Sequence, residues 1–206
     1  MSTRVERALP DGEERVRADA RMRALLAGPA PGPIAERLAL LHFTGRRTGR
    51  LYTVPAGIHR LTATPENGLG ASPVPPLVVA TGSPWRHNFT GGAGGELTWR
   101  GRRTPARFTL VTDLERTARG YLMLYQRYGD AAGRRLGIAV TGEDAPGLAE
   151  FTEAVDRCGL ALVEVGLAPD AGSGAAAGTP DAQDRVAALP PVGATDTDTA
   201  DERTSQ

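Results

Sequence analysis

The chain has 206 residues, a hydrophobic share of 40% and a formal net charge of zero at pH 7. A chain of this length and composition can bury one core, so we expect a single domain with irregular ends. The lone Cys158 excludes an internal disulfide framework. No stretch has the apolar core of a signal peptide or the roughly 18 apolar residues that a membrane span needs, and these features together predict a cytoplasmic protein.

Charge is unevenly distributed along the chain, and all 24 basic residues are arginine. Residues 168–206 are rich in Ala, Gly, Pro, Thr and Asp and carry a net charge of −5. They predict a disordered acidic tail, because they cannot bury enough apolar surface to offset the entropy of ordering. Residues 42–107 hold nine arginines against two glutamates, a net charge of +7. The basic part of the protein is therefore its middle.

The first half of the chain predicts one helix followed by strands. Residues 12–27 suit a short amphipathic helix with Val16, Ala20, Ala24 and Ala27 on its apolar face. The apolar runs 37–44 and 50–60 flank a Gly-Arg turn, and they are either two strands or a helix end and a strand. The run 75–81 has the length of a buried strand.

The second half predicts a hairpin, two helices and a last strand. Residues 96–100 and 102–112 pair around Gly101, with Trp99 and Phe108 as anchors that face out of the pleat. A capping box at 112–115 begins a helix that ends at Gly129. A second helix runs from Pro146 to Gly159, and a strand covers 160–165. This order favours an α+β fold, a small barrel of mainly antiparallel strands with flanking helices. We expect an N-terminal helical extension over 1–33, the barrel domain over 34–167 and the tail over 168–206.

The turn GRRTGR at 45–50 predicts an anion-binding site. Gly45 and Gly49 permit a tight turn, and Arg46, Arg47 and Arg50 offer charged planar forks that match phosphate or carboxylate. The alternative is a solvated hairpin turn with surface arginines. The charge of +7 in the surrounding segment favours the anion.

The loop GSPWRHNF at 82–89 follows the strand 75–81 directly. It offers Trp85 as a flat stacking surface beside His87 and Asn88, a combination that suits a planar heteroaromatic ligand. The alternative is that Trp85 fills the core while His87 and Asn88 cap the next turn.

Other candidate residues give weaker signals. The three histidines, His42, His59 and His87, lie far apart in sequence without Cys or carboxylate at ligand spacing, so no metal site is predicted. Tyrosines at 121, 125 and 128 form a stripe on the predicted helix 113–129. Such a stripe is usually core, although a tyrosine at a pocket wall is also a plausible proton donor.

Residues 35–128 resemble the deazaflavin-dependent nitroreductase family. The resemblance lies in four features taken together: the turn followed by Thr53 and Pro55, the W-x-H-N loop, the hairpin and the tyrosine-bearing helix. The resemblance implies a split β-barrel related to the FMN-binding fold. It also implies that the turn holds the anionic tail of the deazaflavin coenzyme F-420 while the loop borders its ring. The cofactor-binding residues implied are Arg46, Arg47, Thr48, Gly49, Arg50, Pro55, Trp85, Arg86, His87 and Asn88.

Four departures from the family pattern leave FMN open as the alternative cofactor. Tyr52 and Ala56 stand where arginine and leucine are expected, and the loop 81–84 is short. Residues 130–167 add a helix and a strand beyond the family pattern.

The expected function is hydride transfer from the deazaflavin to a small electrophilic acceptor such as a quinone, a nitroaromatic or an enone. Tyr125, with Tyr121 behind it, is the predicted catalytic proton donor or substrate wall. The alternatives are a barrel that binds FMN or haem, the latter through one of the histidines, and a non-enzymatic module that binds anions or nucleic acid. An aromatic content of only 5% argues against a nucleic-acid partner. A homodimer is a further expectation, and the stretch 12–27 could contact a partner subunit or, weakly, a membrane surface.

Overall fold

Eight strands and four α-helices make up the part of the chain described by the computed structural model, residues 3–8, 12–61 and 76–167. The predicted acidic tail and most of the loop before residue 76 lie outside these ranges. The strands are β1 (Arg4–Arg7), β2 (Leu38–Thr44), β3 (Leu51–Arg60), β4 (Leu77–Thr81), β5 (Ala93–Trp99), β6 (Arg102–Leu110), β7 (Ile138–Thr141) and β8 (Ala161–Leu167). The helices are α1 (Gly12–Ala27), α2 (Leu114–Tyr128), α3 (Ala132–Leu136) and α4 (Leu148–Cys158), and short 3-10 helices cover Gly32–Glu36, Pro84–Phe89 and Gly129–Ala131.

Six strands close into an antiparallel barrel in the order β2-β3-β4-β8-β6-β5, with β5 pairing back onto β2. This confirms the predicted α+β fold and resolves the runs 37–44 and 50–60 as two strands of one hairpin. Strand β8 pairs with both β4 and β6. The segment 130–167, expected as an addition, therefore supplies a strand without which the barrel would be open.

Aromatic side chains fill the inside of the barrel. Phe43, Phe89 and Phe108 are buried, and the ring of Phe89 packs against the other two, with centroids 4.8 Å from Phe43 and 5.0 Å from Phe108. Phe108 is thus the core anchor predicted from the hairpin. Trp99 is half-buried: it packs against the same core, and the guanidinium of Arg100 covers its ring at 4.6 Å from the centroid.

Helices α2 and α4 pack together on the outside of the barrel and form a second core around Tyr121 and Phe151. Asp113 caps α2 by accepting a hydrogen bond from the backbone amide of Arg116 at 2.6 Å. The cap is therefore one residue later than predicted, and it places a carboxylate at the positive end of the helix. Gly159 ends α4 in the left-handed conformation, as expected.

The N-terminal segment belongs to the same compact unit as the barrel, which spans residues 1–171. Strand β1 pairs with β7 and buries Val5, neither of which the sequence predicted. Helix α1 has the predicted bounds, but the predicted apolar face is wrong, since Val16 is 65% exposed. The inward face of α1 carries Arg15, Asp19 and the buried Leu26, which packs with Ala35 and Leu40, while Arg15 and Asp19 border a cavity.

Candidate functional site

An open cavity of about 460 Å³ lies beside the barrel, against one face of strand β3. Its walls come from α1, the segment 34–38, the loop after β4 and the segment around α3. A volume of this size is in the range of small-molecule sites. The lining residues are Arg15, Ala18, Asp19, Ile34, Arg37, Leu38, Val54, Pro55, Ala56, Gly57, Ile58, His59, Ala80, Thr81, Gly82, Ser83, Trp85, Tyr128, Ala131, Arg134, Arg135, Leu136 and Gly137.

The charged lining of the cavity is mostly basic, with Arg15, Arg37, Arg134 and Arg135 against the single carboxylate of Asp19. The Arg15 guanidinium donates a 2.6 Å hydrogen bond to Ser83 Oγ and so ties α1 to the loop after β4. The surplus of positive charge favours an anionic or electron-rich guest.

The predicted ligand loop is a 3-10 helix that begins at Pro84 directly after the extended Ser83. Trp85 is half-buried, packs against Phe89 at 5.8 Å between ring centroids and also lines the cavity. Both interpretations of this tryptophan, core and pocket wall, therefore hold in part. His87 is exposed and does not line the cavity.

Arg86, expected at the cofactor, points back into the loop. Its Nη1 donates to the carbonyl oxygens of Gly82 and Ser83, each at 3.1 Å. Burial lowers the pKa of the Arg86 guanidinium. In this arrangement Arg86 stabilises the loop that forms the cavity wall.

The basic turn joins β2 to β3, and its two glycines have separate structural roles. Gly49 has a positive φ of 65°, which a residue with a side chain rarely adopts. A Cβ on Gly45 would lie 2.5 Å from the ring of Tyr52, which covers the turn and contacts Thr48 through its hydroxyl. The turn thus needs both glycines, and it leaves its arginine side chains exposed.

Asn88 brings the two sequence motifs into contact. Its Oδ1 accepts a 2.9 Å hydrogen bond from the backbone amide of Arg46, and its Nδ2 donates a 2.8 Å hydrogen bond to the carbonyl of Trp85. The 3-10 helix therefore has Trp85 in the cavity wall at one end and the basic turn at the other. The turn itself, residues 45–50, does not line the cavity.

The tyrosine stripe on α2 divides into core and pocket residues. Tyr121 is fully buried, and its hydroxyl donates to the carbonyls of Thr81 and Ala161. Burial raises the pKa of Tyr121. Tyr125 packs on Phe151, with ring centroids 5.6 Å apart, and neither of these two tyrosines lines the cavity. Tyr128 does line it, so the stripe reaches the cavity one turn later than the residue that the sequence favoured.

His59 is the partner of Tyr128. Its Nδ1 lies 2.9 Å from the Tyr128 hydroxyl, and its side chain lines the cavity although the residue is only 5% exposed. Burial, reinforced by the positive charges of Arg135 and Arg127, lowers the pKa of His59 to about 4. The buried Nε2 has no hydrogen-bond partner among the described residues.

His42 is bound differently, and the contrast with His59 could not be read from sequence. Its ring nitrogens lie 3.1 and 2.8 Å from the hydroxyls of Thr53 and Thr98, and it does not line the cavity. Burial lowers the pKa of His42 as well, and the charge of Arg103 acts in the same direction. No pattern in the residues around His59 distinguishes it from His42, so sequence reasoning had no signal by which to find it.

Within the ranges that the structure describes, no three His, Cys, Asp or Glu side chains converge in a way that could hold a metal ion. In the same ranges no helix is both long and apolar enough to cross a membrane.

No protein-family model matches the chain, and no curated protein is significantly similar to it in sequence. Among solved structures, the fold is similar to that of a proposed 5-nitroimidazole antibiotic resistance protein from Bacteroides thetaiotaomicron. The two chains are 8% identical, the alignment covers 81% of this chain and 85% of the other, and the TM-score is 0.33. At this level the similarity carries no argument about function, which has to rest on the site itself.

Proposed function

We propose that this protein is an oxidoreductase that binds the deazaflavin coenzyme F-420 and directs hydride transfer to a small electrophilic acceptor. The observation that carries the proposal is the contact between Asn88 and Arg46. It joins the cavity wall to the basic turn and so makes the two motifs parts of one continuous surface. A ligand with a planar ring and a long anionic tail fits such a surface.

The residues present fit this ligand in chemistry and in size. Trp85 offers a flat apolar face in a cavity of about 460 Å³, and Pro55 forms part of the strand opposite. The side chains of Arg46, Arg47 and Arg50 are exposed at the turn, where they can pair with phosphate or carboxylate groups. When bound, the reduced deazaflavin supplies a hydride, and the protein orients the acceptor, excludes water and supplies a proton.

The structure favours Tyr128 over Tyr125 and Tyr121 as the tyrosine that acts at this site. Only Tyr128 of the three lines the cavity, and its hydroxyl contacts a second titratable side chain, that of His59. Hydrogen-bond reach of the reacting group is the first requirement for a proton donor.

A titration of the purified protein with oxidised deazaflavin, followed by cofactor fluorescence at two salt concentrations, tests the proposal. The double variant Arg46→Gln/Arg47→Gln should weaken binding at least tenfold, and most strongly at low salt, because it removes two charges that face the tail. A matched control is Arg119→Gln together with Arg4→Gln, which removes the same net charge from sites that pair with Glu115 and Glu6. Equal affinity of both double variants would contradict a role for the turn.

A further inference from the structure

The cavity is lined by a second group of arginines that the proposed function leaves unused. This group, the far arginine group, consists of Arg37, Arg134 and Arg135. In the part of the chain that the structure describes, no carboxylate lies within ion-pair distance of any of the three. Glu36, which precedes the first of them, pairs with Arg100 at 2.5 Å instead. The positive charge of the group is therefore available to a ligand.

Strand β3 places this group at the end of the cavity that is far from the basic turn. The backbone amide of Ile58 donates a 2.9 Å hydrogen bond to the carbonyl of Arg37, and the carbonyl of Arg135 lies beside Gly57. The basic turn ends at Arg50, and the extended chain from there to Gly57 spans roughly 20 Å at the usual rise per residue. A cofactor tail that lies on the turn therefore leaves the far arginine group to a different ligand.

Arg135 is the member of the group whose guanidinium is held in place. It lies over the ring of Tyr128, 4.2 Å from the centroid, and the Tyr128 hydroxyl lies 2.9 Å from Nδ1 of His59. All three residues line the cavity. The charge of Arg135 is felt inside it, because burial first and this charge second lower the pKa of His59 to about 4. An arginine that is already ordered by stacking loses little side-chain entropy when it binds an anion.

A carboxylate on a flat apolar molecule fits this end of the cavity. Arg37 and Arg134 are exposed and Arg135 is half-buried, so a ligand can reach the group. The planar guanidinium fork matches the two oxygens of a carboxylate. Ile34 and Leu38 also line the cavity and offer apolar surface to an aromatic body.

We propose that the acceptor is an aromatic or quinoid molecule that bears a carboxylate, and that Arg37, Arg134 and Arg135 bind this carboxylate. This inference rests on the proposed function for the reaction and adds the chemical class of the acceptor. It assigns separate ligands to the two arginine clusters, since the basic turn holds the cofactor tail and the far arginine group selects the acceptor.

The binding part is tested by calorimetric titration of the full chain with 4-nitrobenzoate and 4-nitrobenzamide, which are similar in size and differ in charge. Wild type should bind the benzoate at least about tenfold more tightly, and added salt should shrink this preference. Arg37→Gln/Arg134→Gln and Arg135→Gln should each remove most of it. The control Arg4→Gln/Arg119→Gln removes charge outside the cavity and should keep it. A wild type without the preference, or variants that retain it, would overturn the proposal, as would tighter binding of 4-nitrophenyl phosphate than of the benzoate.

Steady-state reduction of the same two nitroaromatics by reduced deazaflavin tests whether the carboxylate contact acts on the acceptor. Arg37→Gln/Arg134→Gln should raise KM for 4-nitrobenzoate about tenfold and change KM for the amide much less, because only the benzoate loses an ionic partner. The affinity of this variant for deazaflavin should fall far less than that of Arg46→Gln/Arg47→Gln. An equal loss of deazaflavin affinity in the two double variants would mean that the far arginine group binds the cofactor tail, and would overturn the proposal.

The outcomes separate the two proposals. If the wild-type protein binds deazaflavin but does not distinguish the benzoate from the amide, the inference about the acceptor fails and the proposed function stands. If it does not bind deazaflavin, the proposed function fails, and calorimetry still decides whether the far arginine group binds a carboxylate. Arg135→Gln also removes the contact with Tyr128. The exposed pair Arg37 and Arg134 can be replaced with little effect on stability, so their double variant remains informative if Arg135→Gln does not fold.

Discussion

Lowering the pH should destabilise the protein through His59, and His59→Gln should remove that effect. Burial depresses the pKa of His59 from 6.5 to about 4, so in the folded state the ring stays neutral over a range in which the unfolded chain takes up a proton. The contribution of His59 to the free energy of unfolding is fully present above pH 6.5 and is lost as the pH falls toward 4. Proton linkage with these two values gives a loss of about 2 kcal/mol between pH 7 and pH 5.

The assay is urea denaturation of wild type, His59→Gln and His42→Gln at pH 7.0, 6.0 and 5.0, a range above most carboxylate titration. Wild type and His42→Gln should both lose stability as the pH falls, and His42→Gln should lose slightly less, because burial also lowers the pKa of His42. His59→Gln should give a much flatter dependence. If all three proteins lose stability in parallel, His59 is not a buried neutral ring in the folded state.

Three further predictions concern the packing that holds the site. Asn88→Ala removes two hydrogen bonds, one of them to the Arg46 amide, and should lower the free energy of unfolding by about 1–2 kcal/mol while weakening deazaflavin binding. Thermal denaturation should show a fall in Tm of roughly 2–8 °C, and an unchanged Tm would mean that the two motifs are not joined. Gly95→Ala should lower the free energy of unfolding by about 1–3 kcal/mol, because its Cβ would lie 2.3 Å from a carbonyl oxygen of strand β2. The control Gly94→Ala places its Cβ in open space and should be nearly neutral, so equal effects of the two variants would contradict this packing. Tyr121→Phe removes a hydroxyl that bonds two buried carbonyls and should lower stability by about 1 kcal/mol, measured in urea.

The elements that the sequence predicted well are those defined by local signals. Helices α2 and α4 begin and end at caps and glycines whose chemistry is visible in a few residues, and the hairpin β5-β6 turns at Gly101. Strand β4 lies in a continuous apolar run, and β8 is a mainly apolar run that Glu164 interrupts. Each of these signals acts within about 15 residues, so no knowledge of the rest of the chain was needed.

What the sequence did not predict depends on contacts between distant residues. Strand β1 has four residues and exists because it pairs with β7, with Arg4 opposite Thr141. Helix α1 faces inward with Leu26, which packs on Ala35 and Leu40, and with Arg15, which bonds Ser83, whereas periodicity alone favoured the face that carries Val16. The position of β8 between β4 and β6 is likewise a property of the closed barrel.

In the candidate site, too, the local motifs could be predicted from the sequence and the contacts between distant residues could not. The turn at 45–50 and the loop at 82–89 were recognised as motifs, and the structure places them in contact through Asn88. The His59–Tyr128 pair was not predicted, because 69 residues separate its members and each alone resembles an ordinary core residue. A pair of this kind becomes visible only when β3 and the end of α2 are placed side by side.

A crystal structure of the protein with bound deazaflavin is the most direct test of the central claim, that the cavity and the basic turn are two ends of one ligand site. The account predicts the ring in the cavity against Trp85 and the anionic tail beside Arg46, Arg47 and Arg50. A tail bound among the cavity arginines Arg37 and Arg134, with the basic turn in contact with solvent only, would contradict it.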